Sequence, residues 1–318
     1  MLDTESKQVN TDAKQIRIPF SNPQFNLIFL SMDSSNQTML AAESIIDSYT
    51  EDKKDESDSK FWRLNSTDEK RFFNNLQHCN LSEVQTALCN RAQTVLNISS
   101  VRTGSSFFAP FWACHSVAEQ LAELVDSICV DLYQGNAFYA SSEMQEHRAA
   151  DNIPLAGTFL TVKAYPKGNS NKFFLCTEGM ARFGLPELTL TEVPSNLGAD
   201  GAYLLRAVAQ YLWSKLENIH PEVPYFSINE TIEMPAVYCE YGNPAFHEAD
   251  HLAIPFALEV FESKHETLLV VRPPAEYDDY YDWFLSVTES IVEHRLQIQR
   301  ATTATSEEVL PAPISVAA

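Results

Sequence analysis

The segment 159–193 constrains the fold more than any other part of the chain. Three short runs rich in apolar residues follow one another there, TFLTVKAYP, KFFLCTEG and ELTLTEV, and turns containing Pro, Gly or Asn separate them. Turns of this kind between apolar runs predict three consecutive antiparallel strands. An amphipathic helix is predicted directly afterwards, over residues 201–219, with Leu205, Val208, Leu212 and Leu216 on one face.

Helices and strands alternate irregularly through the rest of the chain. FNLIFLSM, TVLNISS, CVDLY, YFSINETIEMP, AVYCEY, FALEVFE and TLLVVRP predict strands, and MLAAESIIDSY, EVQTALCNRA, SVAEQLAELVDSI and DYYDWFLSVTESIVEHRLQIQ predict helices. This order lacks the regular βαβ repeat of a nucleotide-binding sheet. It predicts an α+β fold, in which several helices pack on a mixed, largely antiparallel sheet.

The domain limits follow from composition. Residues 17–300 contain no long Pro/Gly/Ser-rich linker, so they are predicted to form a single large α+β domain with an acidic insertion at 49–61. The polar segment 1–16 and the tail 301–318 lack an apolar period and are predicted to be disordered.

Charge limits the partners. The chain has 43 acidic and 22 basic residues, which gives a net charge of −21. Nucleic acids and anionic membranes are therefore not expected as partners, and an unknown protein or small-molecule partner that is neutral or basic is favoured. The polar N-terminus does not resemble a signal peptide, and the six cysteines have no paired spacing, so a cytoplasmic protein with free thiols is expected.

FHEADH, at 246–251, matches the H-E-x-x-H pattern of zinc hydrolases. On a helix, His247 and His251 would face one metal ion, and Glu248 would activate its bound water. Pro255 would end such a helix within a turn, and Asp250 adds a charge beside the second histidine. The third ligand is unassigned, although Glu259, Glu262 and His265 follow downstream. The favoured interpretation is an exposed segment without a cofactor, and zinc remains the alternative.

WACHS, at 112–116, offers a second candidate, because a cysteine near a helix start can have a lowered pKa. However, Cys114 and His115 are sequence neighbours, which point to different faces of a helix. A buried thiol is favoured over a nucleophile at Cys114.

The third candidate is the loop between the second and third strands of the opening segment. Thr177, Glu178 and Arg182 place one hydroxyl and two opposite charges there, beside Met180 and Phe183. These groups could line a pocket. The favoured alternative is that Arg182 and Glu178 pair with each other and hold the loop.

The same loop carries a family likeness. TEGMARFGLPEL at 177–188 resembles the T-x-G-[LM]-x-x-F-G-x-P-E-[LI] segment of an uncharacterised bacterial domain-of-unknown-function family. The likeness extends over about 110–235 and leaves FHEADH outside. It implies a cytosolic α+β protein of bacterial type, and it implies no catalytic residue or cofactor.

Two function classes follow from the sequence. The first is a non-catalytic binding or interaction module with a neutral or basic partner. The second is a zinc-dependent hydrolase that uses His247, Glu248 and His251.

Metal analysis of tag-free protein separates the two classes. We expect no stoichiometric zinc, and we expect His247→Ala and His251→Ala to leave the melting temperature unchanged, because surface histidines contribute little to stability. Stoichiometric zinc that disappears in each variant would favour the zinc-dependent hydrolase instead.

Overall fold

The computed structural model describes residues 14–51, 63–66, 81–101, 107–131, 136–138 and 153–307, apart from 22, 34, 126, 169, 217–218, 221–222, 237 and 239–251. The strands are β1 Gln15–Pro19, β2 Gln24–Ser31, β3 Arg63–Ser66, β4 Thr94–Val101, β5 Ser127–Asp131, β6 Asn136–Phe138, β7 Thr161–Pro166, β8 Lys172–Glu178, β9 Glu187–Pro194, β10 Tyr225–Asn229, β11 Thr231–Pro235, β12 Ala253–Glu262 and β13 Thr267–Arg272. The helices are α1 Ser35–Glu51, α2 Glu83–Arg91, α3 Ala109–Leu124, α4 Ala156–Phe159, α5 Gly198–Leu216 and α6 Tyr280–Glu307.

The described strands form three sheets. A five-stranded sheet has the order β3-β4-β2-β5-β6, and a six-stranded sheet has the order β11-β12-β13-β9-β8-β7. Strands β1 and β10 pair separately. Neighbouring strands are antiparallel throughout, except that β13 and β9 are parallel. The predicted α+β fold is confirmed.

Both faces of the five-stranded sheet are covered. In β2, Phe25, Leu27 and Phe29 belong to the main core together with residues of α3, whereas Ile28 and Leu30 belong to a smaller cluster that includes Cys89 of α2. This division follows from the alternation of side chains along a strand. Helix α2 begins where the sequence predicts, because Ser82 and Gln85 form a reciprocal capping box.

Helix α5 packs on one face of the six-stranded sheet. Gly201 allows the close approach, since a Cβ atom there would lie 2.7 Å from Leu175 and 3.3 Å from Leu190. The predicted antiparallel run β7-β8-β9 is confirmed, and β12 and β13 form an antiparallel hairpin. A bulge interrupts the pairing of β8 with β9 near Glu192, whose φ of 61° is unusual for a residue with a side chain.

An aromatic cluster joins the two large sheets. The ring of Phe183 lies 5.6 Å from that of Phe25 in β2, 5.5 Å from Phe111 in α3 and 4.4 Å from Trp213 in α5. One hydrophobic core therefore includes residues of both sheets. The protein is a single compact body, as the sequence predicts.

Two predicted elements are divided differently in the structure. The helix predicted over SVAEQLAELVDSI ends at Leu124, and Ile128 lies in β5. YFSINETIEMP forms two strands in different sheets, because the N–H of Glu230 donates to Lys14 while its carbonyl accepts from Leu258. The chain therefore changes its pairing partner at this residue.

Other predicted boundaries are also corrected. Gln15 and Ile16 lie in β1, which pairs with β10, so the predicted disordered segment 1–16 is too long. Residues 301–307 continue α6, because ATTATSE contains neither Gly nor Pro to end a helix. Ala236 and Tyr238 lie outside the strands, against the prediction for AVYCEY, whose remaining residues are outside the described part. The insertion 49–61 begins inside α1, and its residues 52–61 are likewise not described. No described helix is long and apolar enough to span a membrane.

Two glycines with positive φ allow a matched test of packing. At Gly184, with a φ of 75°, a Cβ atom would lie 1.9 Å from the backbone oxygen of Ser21, whereas at Gly168, with a φ of 56°, it would have no neighbour within 4 Å. We expect Gly184→Ala to lower the free energy of unfolding by at least about 3 kcal/mol and Gly168→Ala by about 1 kcal/mol. Urea denaturation measures both, and equal losses would show that the contact with Ser21 is unimportant.

Candidate functional site

FHEADH, with His247, Glu248 and His251, lies outside the described residues. The chain directly after it is described: Ala236 donates a hydrogen bond of 2.9 Å to the carbonyl of Leu252, and β12 begins at Ala253. Pro255 lies within β12, so a helix carrying the motif would end before Leu252. Among the described residues, no group of three or more His, Cys, Asp or Glu side chains is arranged to hold a metal ion.

The possible downstream zinc ligands lie on β12 and in the turn that follows it. Glu259 and Glu262 are exposed on β12, and His265 is exposed in the turn that joins β12 to β13. Glu259 lies 3.4 Å from the guanidinium of Arg272.

Cys114 and His115 do not form a nucleophile and base pair. The thiol of Cys114 is buried, donates to the hydroxyl of Ser100 at 3.2 Å, and has its pKa raised to about 12 by burial. The ring of His115 is also buried, 4.5 Å from that of Phe111 and 5.6 Å from that of Phe159. A thiol with a raised pKa carries little thiolate near neutral pH, which supports the structural role.

Glu187 organises the loop that joins β8 to β9. Its carboxylate accepts hydrogen bonds from the hydroxyl of Thr177 at 2.7 Å and from the backbone N–H groups of Gly179, Met180 and Ala181 at 3.1 to 3.2 Å. Burial raises the pKa of Glu187, and these four hydrogen bonds oppose the increase. Thr177 also accepts from the N–H of Leu188 at 2.8 Å. These hydrogen bonds therefore stabilise the conformation of the loop.

Arg182 does not pair with Glu178, which corrects the alternative favoured from the sequence. The guanidinium of Arg182 donates to the carboxylate of Asp131 at 2.6 Å, and their side chains are 3% and 1% exposed. Glu178 pairs with Lys163 at 2.7 Å on the exposed side of β8. Thr177, Glu178 and Arg182 thus take part in three separate interactions, with Glu187, Lys163 and Asp131. The pocket that they could line stays a prediction.

Glu187 and Asp131 are the residues that sequence reasoning missed. Glu187 could have been found, because a Glu that begins a strand beside a Gly-containing loop can accept that loop's N–H groups. Asp131 had no local signal, since it lies 51 positions from Arg182. In segment 177–188, Glu187 and Thr177 thus stabilise the loop, and Arg182 connects it to β5.

Helix α6 has two apolar faces. One face is buried and comprises Trp283, Phe284, Val287 and Ile291, together with His294. The second, which we call the outer stripe, comprises Tyr281, Leu285, Thr288, Val292 and Leu296 at spacings of four, three, four and four residues. Tyr281, Val292 and Leu296 are 47%, 45% and 45% exposed. Leu285 and Thr288 of the outer stripe are partly buried.

Three exposed carboxylates accompany the outer stripe. Asp282, Glu289 and Glu293 lie along one side of it, because a helix rotates by about 100° per residue. We call this row the acidic edge. The helix begins just before it, where the carboxylate of Asp279 accepts from the N–H groups of Tyr281 and Asp282 at 2.7 and 3.1 Å.

The buried pair of Arg182 and Asp131 can be tested by a double-mutant cycle. We expect Asp131→Asn and Arg182→Met each to lower the free energy of unfolding by about 3 to 5 kcal/mol, because each leaves a buried charge without its partner. The double variant should lose at least about 1 kcal/mol less than the sum. In the exposed control pair, Glu178→Gln and Lys163→Met should each cost less than about 1 kcal/mol. Additive losses for the buried pair would contradict the coupling.

No protein-family model, curated protein or solved structure matches this chain. The resemblance of 177–188 to an uncharacterised bacterial family therefore stays a prediction.

Proposed function

We propose that this protein is a non-catalytic interaction module that binds a neutral or basic partner protein through the outer stripe of α6. The observation that carries the proposal is the second apolar face of this helix. The described fold buries Trp283, Phe284, Val287 and Ile291, whereas Tyr281, Val292 and Leu296 on the neighbouring side of the helix are nearly half exposed.

The regular spacing distinguishes the outer stripe from ordinary surface residues. Single exposed apolar side chains are common and need no explanation. Tyr281, Val292 and Leu296, in contrast, are aligned with the half-buried Leu285 and Thr288 over 15 residue steps of one helix, a length of roughly 22 Å. Aligned residues at helical spacing are typical of a surface that receives another chain.

The surroundings of Cys114 and of the possible pocket residues Thr177 and Arg182 support structural roles for these three side chains. Cys114 is buried and has a raised pKa. Arg182 is held by Asp131, and Thr177 is held by Glu187. Each of these side chains has a structural partner in the part of the chain that is described.

Two further features support a cytoplasmic location and a neutral or basic partner. Cys89, Cys114, Cys129 and Cys176 are free thiols, and the first three are buried. Unpaired cysteines are typical of a reducing compartment, which supports the cytoplasm. The net charge of −21 favours association with a neutral or basic partner.

Affinity capture with matched variants tests this proposal. We expect full-length bait to enrich at least one protein, from cells of the source organism, about tenfold over a Val292→Asp/Leu296→Asp bait. The reason is that two charges in the outer stripe would have to be buried in the complex. The control is Leu40→Asp, which places a charge at a 67% exposed leucine of α1.

Quantitative mass spectrometry measures the enrichment, and calorimetry with the purified partner must reproduce the loss. Equal enrichment by all three baits, or none by any, would contradict the proposal. Circular dichroism of each bait checks that the variants are folded.

A further inference from the structure

We infer that the outer stripe of α6 receives a basic amphipathic helix from the partner, in preference to a second copy of this chain. This inference rests on the proposed function and specifies the chemistry of the partner. It is argued from the spacing of the stripe, the carboxylates of the acidic edge and the net charge of the chain.

The spacing favours a helix as the bound element. Tyr281, Leu285, Thr288 and Val292 follow steps of four, three and four residues. The same alternation of four and three generates the contact line between two packed helices, in which side chains of each fit between those of the other. An extended strand would require a free sheet edge with unpaired N–H and C=O groups, which the surface of a helix does not offer.

The acidic edge favours basic residues on that helix. Asp282, Glu289 and Glu293 are exposed and flank the outer stripe on one side. In helix pairs, the residues that flank the apolar contact line select the partner through their charges. Lysine or arginine at the flanking positions of the partner helix would therefore lie opposite these carboxylates.

The same charges disfavour a second copy. In an antiparallel pair related by a two-fold axis, like edges of the two helices meet, so the acidic edge would face itself. In either orientation, two chains with a net charge of −21 would have to approach each other. Both effects oppose self-association, and both favour a basic partner.

Two synthetic peptides provide the probe. Each contains three heptads, with leucine at the a and d positions and a fluorescent label. One has lysine at the e and g positions, and the other has glutamate. Fluorescence anisotropy with the full-length protein should show the lysine peptide binding at least about tenfold more tightly than the glutamate peptide. Val292→Asp/Leu296→Asp should remove this binding, and Leu40→Asp should leave it unchanged.

Reversal of the charges on the acidic edge tests directly whether these carboxylates select a basic partner helix. Glu289→Lys/Glu293→Lys should weaken binding of the lysine peptide and strengthen binding of the glutamate peptide, each by about tenfold. The preference for the lysine peptide should therefore be lost or reversed. Both positions are exposed on α6, so the variant is expected to fold. If this variant keeps the original preference, the inference is overturned.

Sedimentation of the wild type separates this inference from the proposed function. A wild-type dimer that Val292→Asp/Leu296→Asp converts to a monomer would identify a second copy as the occupant, which overturns the inference and leaves the interaction surface in place. Equal binding of the lysine peptide to the wild type and the stripe variant would show attraction to the net charge alone, and it also overturns the inference. If the stripe variant alters neither peptide binding nor self-association, both proposals fail.

Discussion

The buried ion pair between Arg182 and Asp131 is the interaction on which the arrangement of the two large sheets depends. Asp131 ends β5 of the five-stranded sheet, and Arg182 belongs to the loop between two strands of the six-stranded sheet. Burying two charges carries a large desolvation penalty, so the pair is favourable only when the two groups meet in good geometry. A displacement of one sheet relative to the other would leave both charges buried and separated.

Phe183, the residue after Arg182, adds apolar contacts between the same two sheets. Phe183 lies among Phe25, Phe111 and Trp213, so one short turn supplies an ion pair and an aromatic contact to the opposite sheet. Glu187 holds this turn through its hydrogen bonds to three consecutive N–H groups. Thr177, Arg182 and Glu187 of segment 177–188 thus have structural partners in the described part of the chain.

The sequence predicts the helices and strands whose pattern is contained in neighbouring residues. Strands β7, β8 and β9 and helix α5 were predictable because their apolar periods and turn residues are contiguous. Asp131 was not predictable as the partner of Arg182, because a contact over 51 positions leaves no local pattern. Proximity in sequence favoured Glu178 instead, although adjacent strand and turn residues can point in different directions. Helix α6 presented a related ambiguity, since two apolar faces have the same period and only the packing of the domain determines which one is buried.

The composition of α6 connects the proposed partner with the charge of the whole chain. An apolar stripe that is half exposed favours aggregation unless nearby charges oppose it. Asp282, Glu289 and Glu293 provide such charges beside the outer stripe, and the net charge of −21 acts at longer range. In the proposed complex, these carboxylates would oppose the pairing of two copies of the chain and would attract a basic partner helix. The acidity of the chain, which by itself indicates only solubility, would then be part of the proposed recognition surface.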